Sequence, residues 1–353
     1  MHTNVAAPYL RKLETPVTEI EELVEKVGLQ IATKNHQIDE SLEQLCKKLI
    51  PFSIEDLESL TVVPDDFIFS VPFEILRSNN QYLIEKYPIS YKSANIIKLD
   101  YQTKNRKLKA LCLFPNYIER KPNIVSNDGS TLEPLKYVEN EKQVMLESSY
   151  LEADILEDLS ASELKLILSD YSVFHFGGHA KADVSRPYLS IINEYSEQEL
   201  IYSDQIEQME NNLDLVCLSA CQTGLGKRTQ GEGVRSLAKA FLASGAESVV
   251  YSLWNINDKS TSQIISQFYR LLGERETKDQ ALRNAKLHYL ANASPGDRHP
   301  NYWSGLCLMG DMSALDTDAL GIYGRTKKLF IVIFGLIVLS ILLLWGMSQR
   351  QES

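Results

Sequence analysis

Apolar positions recur at helical spacing in two stretches near the N-terminus. Ile20, Leu23, Val24 and Val27 follow Thr18-Glu-Ile-Glu21, which has the form of a capping box, and Ile38, Leu42, Leu45, Cys46 and Leu49 predict a second helix over 38–49. The pattern then shortens. Residues 60–63 and 67–69 read as strands about the turn Pro64-Asp-Asp66, and 87–91 and 110–114 as further short strands. Three Asn, two Pro and Asp128-Gly129 make 116–134 a loop. A helix at 139–151, a strand at 154–156 and a helix at 162–168 lead into an apolar run that begins at Val173. A second such run begins at Leu215. After it come a helix over 232–243 closed by Gly245, a strand at 247–254, and helices over 260–272 and 278–291. Strands alternating with helices predict an α/β fold, a mostly parallel sheet with helices on both faces and functional residues at the carboxyl ends of strands.

The two apolar runs end in chemistry. Val173-Phe-His-Phe-Gly-Gly-His-Ala180 breaks into glycines at His179, and Leu215-Val-Cys-Leu-Ser-Ala-Cys-Gln-Thr-Gly-Leu-Gly226 breaks into small residues at Cys221. If the strands are neighbours, an imidazole and a thiol meet at the sheet rim as a nucleophile and its base. Cys217 alternates with apolar neighbours inside its run and reads as a core thiol, and His175 as a core or supporting histidine. Metal binding by these two His and two Cys is disfavoured, because nothing in the sequence supplies a supporting shell. Gly224-Leu-Gly-Lys227 lacks the Walker spacing, with Cys221 and Arg228 where Gly and Ser or Thr are needed, so no nucleotide or other cofactor is expected.

The C-terminus changes character. Leu329 to Met347 is 19 residues without a charge, enough for a helix to cross about 30 Å of hydrocarbon. Arg325, Lys327 and Lys328 precede it and six residues follow, so it reads as a single-pass tail anchor with the N-terminal side in the cytoplasm, at the cell inner membrane. Elsewhere composition is that of a globular protein, 44% hydrophobic and 24% charged. A net charge of −11 argues against nucleic acid as a partner. Five irregularly spaced cysteines and the lack of a secretory signal favour reduced thiols. The organisation expected is a helical segment over 1–37, a main domain over 38–313, a basic linker over 314–328 and the anchor over 329–347.

Several motifs in order resemble the CHAT domain, a caspase- and separase-like group of cysteine peptidases. They are Val71-Pro-Phe-Glu-Ile-Leu76, Tyr82-Leu-Ile-Glu85, Ile89-Ser-Tyr91, His175-Phe-Gly-Gly-His179, Ser219-Ala-Cys-Gln-Thr-Gly-Leu-Gly226, Gly231-Glu-Gly-Val, Ala243-Ser-Gly-Ala-Glu-Ser-Val-Val250, Ser252-Leu-Trp254 and the stretch from His299-Pro-Asn-Tyr-Trp303 to Met309-Gly-Asp311. The likeness covers about 38 to 311, and it departs from the family at Ala180, often Gly, and in the lack of a preceding repeat array.

The resemblance implies a caspase-like cysteine endopeptidase that works as a dyad. Cys221 is then the nucleophile and His179 the general base and later acid, with the N–H groups of Gly178 and Cys221 forming the oxyanion hole. Gly177 and Gly178 equally suit a tight turn. In separase-like relatives an acidic residue after the Trp faces a basic P1 side chain, a role that would fall to Asp258; a helix N-cap is the alternative there. Glu232 reads as a helix-dipole residue. The family's biology implies cleavage of a protein partner in bacterial antiviral defence or programmed cell death, for example a gasdermin-like pore former. The alternatives are a silent scaffold at the membrane and a zymogen awaiting a sensor protein.

Overall fold

The structure, a computed structural model, describes residues 15–92, 108–117, 135–181, 186–220 and 236–316, with short backbone runs at 228–229 and 233–234. The Gly224–Lys227 loop, Glu232, most of the 116–134 loop and the 329–347 segment lie outside these residues. Among the described residues no helix is long and apolar enough to cross a membrane.

Two helices open the described chain, α1 (Val17–Ala32) and α2 (Ile38–Leu49). Helix α1 does not start with the expected capping box. Pro16 occupies the cap position, so Thr18 already lies inside the first turn and no side chain caps the helix. Proline suits that end because it presets φ and lacks the N–H that a helix start leaves unpaired. The apolar stripe Ile20, Leu23, Val24, Val27 and Ile31 is buried in the same core as the sheet. Residues 67–69 are not a strand. Asp66–Ser70 forms a 3-10 turn whose bonds close locally, Ile68 N–H to Asp65 O and Val71 N–H to Ile68 O.

The main sheet is built from β1 (Leu60–Val62), β2 (Ile89–Tyr91), β3 (Lys109–Leu113), β4 (Glu152–Leu156), β5 (Val173–Phe176), β6 (Leu215–Leu218), β7 (Ser248–Ser252) and β8 (Leu306–Gly310). Their order is β1-β2-β8-β7-β6-β5-β3-β4. Only the β7–β8 pair is antiparallel; the other neighbours run parallel. Successive strand residues face opposite sides of a sheet, and every residue of β5, β6 and β7 is buried, so both faces are covered. Helices α3 (Val138–Glu147), α6 (Asp258–Gly273) and α7 (Lys278–Asn292) pack together, tied by Ser262 Oγ–H to Tyr137 O at 2.8 Å and Tyr150 O–H to Tyr269 O at 2.7 Å. Helix α4 (Ala161–Ile167) leads to β5, and α5 (Leu237–Ala243) packs on β7. Helix α5 starts at Leu237 rather than 232, because Ser236 accepts the Lys239 N–H and sets the N-cap there. It ends with Gly245 at φ +125°, where an added Cβ would lie 2.3 Å from Asn211 O.

Chain direction across the sheet reverses at β3. The chain steps from β3 outward to β4, then returns to β5 on the other side and continues to β6 and β7. In open α/β sheets ligands collect at such a reversal, at the carboxyl ends of the strands. Here the reversal lies between β3 and β5.

Candidate active site

Strand β5 leaves the sheet into Gly177-Gly178-His179, and both glycines are sterically required. A Cβ on Gly177 would come within 2.4 Å of the Phe114 ring, and one on Gly178 within 2.6 Å of Phe176 Cζ and 3.0 Å of the Tyr117 hydroxyl. Among the described residues no acceptor takes the Gly178 N–H. His179 is half-buried and begins a short strand, His179–Lys181, that pairs antiparallel with Tyr188–Ile192, putting His179 opposite Ser190.

Tyr117, four residues past the end of β3, fixes this histidine. Its hydroxyl accepts the His179 backbone N–H at 3.0 Å and donates to Ser190 O at 2.7 Å, and its ring meets the imidazole edge-on at 4.7 Å. Burial pushes the Tyr117 phenol well above its ordinary pKa, so it stays protonated and able to donate. Tyr117 gave no sequence signal, lying as it does at the start of a stretch read as loop.

Strand β6 is the direct neighbour of β5 and runs parallel to it, with Cys217 opposite His175 and Leu218 opposite Phe176. The last described residues on that side, Ser219 and Ala220, are both held. Ser219 Oγ–H donates to Glu141 Oε1 at 3.1 Å, and Ala220 O accepts from the Ser252 hydroxyl of β7 at 2.6 Å. Cys221 itself lies outside the described residues. The other four cysteines, Cys46, Cys112, Cys217 and Cys307, are buried and free, and burial raises the pKa of each, which keeps them as unreactive thiols.

His175, fully buried, sits behind the rim. Its Nδ1 lies 3.2 Å from the Tyr269 hydroxyl and its Nε2 3.0 Å from Glu141 Oε2, with the carboxylate off the line of a good hydrogen bond. Glu141 is 2% exposed on α3. It shares the i, i+3, i+4 stripe of Val144 and Met145, and a carboxylate on an apolar stripe was the signal that could have singled it out.

Asp258 is half-buried at the first position of α6, and the N-cap is its neighbour Asn257, which accepts the Ser260 N–H at 3.2 Å. The Asp258 carboxylate instead accepts the backbone N–H groups of Lys136 and Tyr137, at 2.8 and 3.1 Å, and so anchors the entry to α3. Among the described residues no cluster of three or more His, Cys, Asp or Glu could hold a metal ion.

The described residues form a mostly parallel α/β sheet in which the strand leading to His179 lies beside β6. The CHAT domain family model matches residues 39–311, and the chain belongs to that family. Tetratricopeptide repeat protein 28 of Homo sapiens is 29% identical over 120 residues, which are 34% of this chain and 5% of that protein; the Mus musculus protein is 28% identical over the same length. The chain thus spans about a twentieth of the length of these curated relatives. Among solved structures, the Arg-specific cysteine proteinase gingipain R aligns with a TM-score of 0.52 and 14% identity, over 84% of this chain and 75% of its own. The complex of Porphyromonas gingivalis RgpB pro- and mature domains gives a TM-score of 0.50 and 14% identity, over 85% and 78%. Likeness at this identity establishes a shared fold.

Proposed function

We propose that this protein is a cysteine endopeptidase in which Cys221 attacks the scissile carbonyl and His179 takes, then returns, the proton. The observation that carries this reading is the parallel register of β5 and β6. Phe176 and Leu218 are partners, and His179 and Cys221 each follow their strand's last residue by three positions. A cysteine and a histidine at neighbouring strand tips would form a thioester acyl-enzyme, releasing the amine that the histidine protonates, and water would then hydrolyse the thioester. The buried Gly178, with its N–H directed to no described acceptor, suits an oxyanion donor alongside the Cys221 N–H, a contact worth about 3 kcal/mol.

The substrate in this reading is a protein cut after a basic residue selected by Asp258, with a gasdermin-like pore former in a bacterial defence or cell-death pathway as the leading partner. Residues 329–347 would hold the catalytic domain at the cytoplasmic face of the inner membrane, so removing them should release the protein from the membrane fraction. The decisive experiment compares wild type with Cys221→Ala on fluorogenic peptides bearing Arg, Lys, Leu or Asp before the reporter. Turnover of the Arg or Lys peptide that vanishes in the variant supports the reading. Equal rates in both proteins would favour a non-proteolytic scaffold, and activity that emerges only with a sensor protein would mark a zymogen.

A further inference from the structure

One carboxylate touches both strands whose tips carry the dyad. Glu141 reaches from α3 to Ser219, two residues before Cys221, and to His175, four residues before His179. We infer that Glu141 is a positioning residue for the dyad, holding the cysteine-bearing and histidine-bearing tips in register through Ser219 and His175. This inference rests on the peptidase reading and extends it.

Donor and acceptor chemistry fixes the arrangement. His175 sits between two groups, its Nε2 3.0 Å from Glu141 Oε2 and its Nδ1 3.2 Å from the Tyr269 hydroxyl. The Ser219 hydroxyl is the aligned donor to the Glu141 carboxyl group. One aligned donor compensates poorly for taking a carboxyl group out of water, and an apolar residue of the same volume would serve folding as well or better. Geometry at the rim is the benefit that remains. Cys112 and Cys217 flank His175 in register on either side, and both are thiols held neutral by burial. Glu141 is therefore the acidic side chain that faces His175. With Ala220 O held by Ser252, the chain enters Cys221 clamped at two successive residues. Loss of one clamp lets the thiol drift from the imidazole, and a displacement of about 1 Å costs up to a hundredfold in such chemistry.

The test needs no known substrate. Full-length protein is alkylated with iodoacetamide across pH 5–10, and modification of Cys221 is followed by mass spectrometry. A dyad thiol reacts with a midpoint well below the free value of about 8.5, and His179→Ala should move it there. Glu141→Gln and Ser219→Ala should each slow Cys221 alkylation at neutral pH about tenfold and raise the midpoint, while Ser219→Thr, which keeps the hydroxyl, restores wild-type behaviour. Thermal melts accompany each variant, and Ser219→Ala decides the matter if Glu141→Gln does not fold. Wild-type profiles in folded Glu141→Gln and Ser219→Ala, with His179→Ala shifted, would leave the dyad standing and overturn the role of Glu141. Superimposed wild-type and His179→Ala profiles would overturn the dyad and this inference with it.

Discussion

Replacing Tyr117 with Phe isolates the hydroxyl that secures His179. The ring and its 4.7 Å edge-on contact with the imidazole remain, so no large cavity forms. What is lost is one acceptor for the His179 N–H and one donor to Ser190 O. Ser190 is 1% exposed and its carbonyl has no ready access to solvent. A buried group that loses a hydrogen-bond partner costs about 1–3 kcal/mol, and the half-buried His179 N–H recovers part of its loss from water, giving about 2–3 kcal/mol in all. At roughly 2 °C per kcal/mol for a domain of this size, the melting midpoint should fall by about 4–6 °C. The function should suffer separately. With the Tyr117 bond gone the His179 segment is held less firmly, so under the proposed dyad, turnover, or Cys221 alkylation at neutral pH, should drop about tenfold. Urea titration and alkylation kinetics on the same samples give both numbers. Stability within about 0.5 kcal/mol of wild type, together with unchanged Cys221 reactivity, would refute the assignment of Tyr117 as the anchor.

Two further expectations concern the body of the domain. Lys286 and Glu74 are 1% and 2% exposed and pair at 2.9 Å, while Tyr91 O–H donates to the other Glu74 oxygen; Lys286→Met should destabilise by about 3–5 kcal/mol in denaturant titration, and Glu74→Leu combined with Lys286→Met by less than either single change, because no charge is left buried alone. His299 accepts the Asn301 N–H at Nδ1 and faces Asn35 O with Nε2, beside His36, Lys34 and Asp39, and burial above all lowers its pKa. A base with a depressed folded pKa contributes stability that is present above its unfolded value of about 6.5 and is lost as pH falls through the folded value. Wild type should therefore lose stability faster than His299→Gln as pH drops from 7 to 5, and parallel stability curves for the two would contradict this.

Local pattern carried the elements that close on themselves. Helix α2 occupies 38–49 as its apolar spacing predicts, and α7 and α6 lie within two residues of expectation. These segments follow their periodicity because the bonds they need come from within four residues. Where a neighbour decides, the sequence was a weaker guide. The consecutive apolar residues at 67–69 resemble a short strand, yet among the described residues no strand pairs with them and the backbone satisfies itself in a 3-10 turn.

By itself the sequence determined that a histidine and a cysteine end two apolar runs, since glycine and other small residues must mark such breaks, and its motifs marked the CHAT family. Only the tertiary structure decided that those runs are parallel neighbours in matched register, that Tyr117 grips His179 and that Glu141 bridges to His175 and Ser219. It also decided that the Asp258 carboxylate bonds to the backbone ahead of α3. Each of these links joins residues between 34 and 122 positions apart. Contacts of that range leave no periodic trace, because each depends on how separate strands and helices pack rather than on spacing along the chain.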